Sequence, residues 1–153
     1  MPKEDSIDAN AAEARLRSLA EFRFQMRKFL SFSEIASERC GVPAQQYQLM
    51  QVIAAIPEGQ QASITYVAER MVLRHNSTVE LVDRAERAGL VHRESDPKDM
   101  RRSLVYLTPQ GQEILNRLVA EHLRELAPLC EHLIHALREL QGAVERPAKA
   151  ERG

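Results

Sequence analysis

The chain has 153 residues, enough for one ordinary domain that buries a core of its own. Its 21 Lys and Arg against 22 Asp and Glu leave a net charge of -1, so bulk basicity supports no nucleic-acid partner and only local placement of charge could. A hydrophobic share of 44% excludes disorder over the whole chain, and two Cys are too few for a disulfide scaffold and fit a reducing compartment. Residues 40–57 carry no formal charge, but Gln45, Gln46, Gln48 and Gln51 interrupt them, which excludes a membrane span. The first residues lack the apolar core of a signal peptide, so a soluble cytoplasmic protein is expected.

Leu16, Leu19, Phe22, Met26, Phe29 and Ser33 recur at steps of three or four and predict a long amphipathic helix over residues 10–40. A second helix is expected from Pro43 at its first position to Ile56, where Pro57 ends it. Ser63 is the expected N-cap of a short helix reaching Met71, and Asn76 or Ser77 starts a fourth helix that ends before Gly89. The period then changes. Residues 90–95 and 103–107 are short and β-prone, and Asp96-Pro97-Lys98-Asp99 between them is a turn signal. Thr108-Pro109 opens a long leucine-striped helix to residue 141, with a break expected at Pro128 and a stop at Gly142. Residues 142–153 read as a frayed tail.

The expected fold is therefore mainly α with a small β-hairpin: a winged helix-turn-helix over 43–107, flanked by long terminal helices, in a single domain 1–153. The apolar stripes at 10–40 and 108–141 exceed the needs of one small core and predict a helical dimer interface, a homodimer; a monomeric bundle burying them internally is the alternative.

Catalytic motifs are absent, so no enzyme and no cofactor are expected. His132 and His135 share a helical face, but two ligands do not make a zinc site, and none is assigned. His122 falls on the apolar stripe itself, where partial burial with one hydrogen bond accounts for it. Cys40 follows Arg39 at a helix C-terminus, where the dipole disfavours a thiolate, and Cys130 precedes Glu131, so both read as small buried hydrophobes. Residues Arg74, His75, Asn76, Ser77 and Thr78 all offer hydrogen-bond donors at a helix start, as a helix entering the major groove requires; a well-capped surface helix is the alternative. Lys98, Arg101 and Arg102 sit at the hairpin tip, where an Arg suits a narrow minor groove and Asp99 could orient its guanidinium. All four Phe lie between 22 and 32 with cations interleaved. Phe24 and Arg27, with Tyr47 and Met50 of the next helix, form a candidate pocket for a small aromatic or anionic effector, with core packing as the alternative.

These residues resemble the MarR family of winged-helix regulators. The stretch from Arg74 to Val91 is similar to the family's recognition helix and entry to the wing. Asp96-Pro-Lys-Asp-Met-Arg101 followed by Leu107-Thr-Pro-Gln-Gly111 matches its wing pattern D-P-x-D-x-R…L-T-x-x-G. The resemblance implies a dimeric regulator of palindromic operators on double-stranded DNA, usually a repressor released by an aromatic acid. It implies base contacts from the start of the recognition helix and a minor-groove contact from Arg101 with Asp99 in support. Glu80 departs from the family, standing where many relatives carry a basic or small polar residue; its carboxylate could accept from a cytosine amino group or complement the helix dipole. The first helix has no Cys before Cys40, so the likeness does not extend to the peroxide-sensing branch. A partner-binding helical module without DNA affinity, and a metal- or thiol-responsive regulator, are the rival readings.

Overall fold

A computed structural model describes residues 3–145, with side chains from residue 9 onward. Its elements in chain order are α1 (Lys3–Arg39), α2 (Ala44–Ala54), α3 (Ile64–Met71), α4 (His75–Arg87), β1 (Val91–Ser95), β2 (Ser103–Leu107) and α5 (Pro109–Glu145). No described helix is long and apolar enough to cross a membrane. Among the described residues the chain divides into two compact units, residues 3–32 with 123–145 and residues 33–122.

The unit 33–122 holds the main core. Tyr47, Leu49 and Met50 of α2, Val67 of α3, Leu81 and Val82 of α4 and Val105 of β2 are all at most 1% exposed. α2 contacts α3, α4 and β2, and α4 contacts β1, so one apolar centre holds all five elements. β1 and β2 pair antiparallel in the register Val91 to Leu107 through Ser95 to Ser103, and Ser63 bridges to Leu104 as a short third edge. A two-stranded hairpin is marginal alone, and this contact with the loop before α3 supports it.

Local rules explain most boundaries. Ser63 caps α3, its hydroxyl accepting from the Tyr66 N–H at 3.2 Å. Gly89 closes α4 at φ +75°, where the Gly89 and Leu90 N–H groups donate to the Glu86 and Ala85 carbonyls. Asp96 to Asp99 forms the expected turn, closed by the Asp99 N–H on the Asp96 carbonyl.

Several expectations need correction. α1 begins at Lys3, well before residue 10. α2 ends at Ala54, two residues before Ile56, and Pro43 is its N-cap rather than its first helical residue. α4 starts at His75 on Arg74 as N-cap, not on Asn76, because both the N–H and the hydroxyl of Thr78 bond back to the Arg74 carbonyl at 3.0 Å. α5 does not break at Pro128. That residue is exposed, and a helix can carry a proline on its solvent side at the loss of one hydrogen bond. Nor does α5 stop at Gly142, since the helix continues through Glu145; the rest of the expected tail lies outside the described residues. Cys130 is exposed rather than buried.

The turn between α3 and α4 carries a strained residue. Val72 ends α3 at φ +54°, in the left-handed region that a β-branched side chain adopts only at a cost, and it is 90% exposed. Because the side chain packs on nothing, Val72→Gly is expected to raise stability by about 1 kcal/mol. Urea unfolding checks this, and an unchanged or lower midpoint would contradict the strain.

In the other unit, α1 up to Phe32 and α5 from Leu123 expose many apolar side chains, among them Leu16, Phe24, Met26, Leu30, Leu123 and Leu137. Such density exceeds the scattered apolar residues of an ordinary helix surface.

Candidate nucleic-acid interface

α4 is amphipathic by placement. Thr78, Leu81, Val82 and Ala85 point into the core, which turns His75, Asn76, Ser77, Glu80, Arg84 and Arg87 to the surface. Arg74 is exposed at the N-cap, so four of the five polar residues read at this helix start are available. Thr78 is not. It is fully buried and its hydroxyl is committed to the Arg74 carbonyl, so it anchors the helix start and reaches no base. The sequence could not separate it from its neighbours, since burial depends on which face meets α2 and α3.

The wing is ordered by two carboxylates. Asp96, 1% exposed, accepts from the Lys98 N–H at 2.9 Å and lies 4.0 Å from the Arg102 guanidinium. Its own N–H donates to the Arg102 carbonyl at 2.9 Å, closing the base of the loop. Asp99 accepts from the Arg101 backbone N–H at 3.1 Å. Its place differs from the one expected: the carboxylate fixes the turn rather than gripping a guanidinium. A second turn, closed by the Arg102 N–H on the Asp99 carbonyl at 2.9 Å, puts Met100 and Arg101 at the apex. Lys98, Arg101 and Arg102 are all exposed there.

Wing and helix are also tied to one another. Arg93 of β1 reaches Asp83 at 2.7 Å and Glu86 at 3.1 Å on α4, and its N–H donates to Glu86 at 2.8 Å. Arg93 thus holds two acids of the lobe, and the Asp96 carboxylate is buried. The cations of this surface are left more available than its anions.

The L-T-x-x-G segment has a packing role. The Thr108 hydroxyl donates to the Gly89 carbonyl at 2.6 Å and accepts from the Gly111 N–H at 3.0 Å, while the Thr108 N–H donates to the Leu90 carbonyl at 3.1 Å. One side chain caps α5 and clamps it to the corner between α4 and the wing.

The candidate effector residues are divided. Phe24 and Arg27 are exposed in the unit of α1 and distal α5, with Lys28 over the Phe24 ring at 5.3 Å. Tyr47 and Met50 are closed core residues of the other unit. Burial raises the Tyr47 hydroxyl above its ordinary pKa, so it stays neutral, accepting from Gln51 at 3.0 Å. Beside it lies His122, whose Nδ1 donates to the Leu118 carbonyl at 2.7 Å and whose Nε2 accepts from the Ser33 hydroxyl at 2.9 Å. That is at least one bond more than expected, and the side chain is buried rather than half-buried. The ring pair, with centroids 4.8 Å apart, makes Tyr47 a packing partner of His122.

Comparison with known proteins agrees with this geometry. Residues 41–102 match the MarR family model. The chain is 40% identical over 70 residues to the transcriptional regulator HosA of Escherichia coli O111:H-, covering 46% of this chain and 50% of that one, so the match spans about half the regulator's length. Among solved structures, the MarR family transcription regulator SP03579 superposes with a TM-score of 0.73 at 20% identity, over 90% of this chain and 92% of that one. The PcaV transcriptional regulator from Streptomyces coelicolor, solved with its natural ligand, superposes at 0.57 with 27% identity, over 81% and 91% of the two chains. The buried hairpin Asp, the Thr108–Gly111 clamp and the amphipathic α4 lie in or beside the segment that matches the MarR family model, and the chain has the fold of the MarR family regulator SP03579.

Proposed function

We propose that the chain is a cytoplasmic, sequence-specific DNA-binding transcriptional regulator that acts as a homodimer on a palindromic double-stranded operator. One observation carries this reading: the outer face of α4 and the cationic wing apex belong to one compact lobe, joined through Arg93. His75, Asn76 and Ser77 supply donors for base edges and phosphates in the major groove, and Arg101 reaches the minor groove. The exposed apolar side chains of α1 and distal α5 support a second copy as partner. Two-fold symmetry then sets half-sites about one helical turn apart. The functional reading extends to a repressor that a small aromatic or anionic ligand releases; that PcaV was solved with its natural ligand supports only the ligand-binding part of it. Of the four candidate effector residues, Phe24 and Arg27 are the two that are exposed.

Fluorescence anisotropy with DNA from upstream of the gene, against scrambled DNA, tests the reading. With about six phosphates neutralised per dimer, affinity is expected to fall on the order of a thousandfold between about 50 and 200 mM salt. Binding that is insensitive to salt and sequence, including DNA recovered by selection from a random pool, would favour the partner-binding alternative. Addition of benzoates and related aromatic acids to the complex then tests release.

A further inference from the structure

Glu80 is the one acid on the recognition face whose carboxylate has no ion-pair or hydrogen-bond partner among the described residues. It lies one turn beyond Asn76 and one turn before Arg84 on the exposed side of α4. The arrangement Glu80 to Arg84 is the favoured i, i+4 orientation for an ion pair, yet no such pair forms. The helix-dipole explanation also fails, because Glu80 is the sixth residue of α4 and its first turn contains no acid. An exposed carboxylate facing a polyanion opposes binding everywhere except where a base edge can donate to it. In the major groove only the cytosine N4 and adenine N6 amino groups donate. Adenine sets its N7 lone pair beside the amino group, against an acceptor-only carboxylate, whereas cytosine has no acceptor there.

We infer that Glu80 is a specificity-determining residue that requires a cytosine in each operator half-site and repels DNA lacking it. The inference rests on the DNA-binding reading above and adds the base that α4 demands. Its effect is double: it accepts from cytosine N4 at the operator, and it lowers affinity for all other sequences through phosphate repulsion.

Selection from a random DNA pool with the full chain, repeated with Glu80→Ala and Glu80→Gln, tests it. The unsubstituted protein should return a half-site with one cytosine whose replacement weakens binding about tenfold. Glu80→Ala should lose that preference and bind scrambled DNA more tightly. Glu80→Gln should move the preference to adenine, whose N6 and N7 an amide reads together; such a gain cannot come from misfolding. Retention of the same cytosine preference by both variants would overturn the inference while leaving the regulator reading intact. Recovery of no sequence by the unsubstituted protein would overturn both.

Discussion

Gly111→Ala is expected to lower folding stability by about 3 kcal/mol, the upper part of the range for an added methyl without room. A Cβ on Gly111 would stand 2.1 Å from the Leu90 carbonyl oxygen and 3.0 Å from its carbon. Those are backbone atoms, and the same oxygen accepts the Thr108 N–H, so neither partner can move without opening the corner between α4, the wing and α5. Gly142 is the internal control. It too lies within α5, but a Cβ there meets nothing within 4 Å, so Gly142→Ala should gain about 0.5–1 kcal/mol from helix propensity alone. Urea midpoints for the two variants should move in opposite directions. Equal shifts would mean that α5 does not pack this closely on Leu90.

Arg101→Ala should leave stability unchanged and cost about 2 kcal/mol of operator affinity per half-site. The residue is exposed at the apex of the wing, and its guanidinium supports no part of the lobe: the turn is held by its backbone N–H on Asp99 and by Asp96. Its side chain can therefore be removed without unfolding the hairpin. The salt slope should fall by about one for each phosphate that the guanidinium no longer neutralises. Unchanged affinity with an unchanged melting temperature would remove the wing from the interface and leave α4 as the whole recognition surface. Arg102→Ala should behave differently, since Arg102 also neutralises the buried Asp96. A drop in stability is expected there alongside any weakening of binding.

Much of the architecture is legible in the sequence, for reasons that act over a few residues. The change of hydrophobic period near Leu90 separates α4 from the hairpin, and the observed β2 boundaries coincide with those expected. Ser63, Gly89 and Asp96-Pro97 act through their own backbone neighbours, so their roles follow from residue type and position. Expectation and structure part where a local rule meets a longer-range one. Pro128 and Gly142 are helix breakers by propensity, but α5 runs through both: Pro128 faces solvent, and Gly142 lies in the last turn before Glu145. Asn76 is a better N-cap than Arg74 by side chain, yet the packing of Thr78 sets the cap two residues earlier.

The candidate site divides the same way. The order of elements, the position of α4 and the hairpin, and the set of polar residues on them follow from the residues alone, because periodicity, caps and turns are encoded by adjacent residues. Tertiary structure decided which of those residues face outward. It buried Thr78 and Asp96, placed Tyr47 and Met50 in a closed core, and made Thr108 and Gly111 the clamp that holds α5. It also drew Asp83 and Glu86 onto Arg93 and left Glu80 alone. Burial and charge pairing depend on partners far away in the chain, which no local pattern specifies.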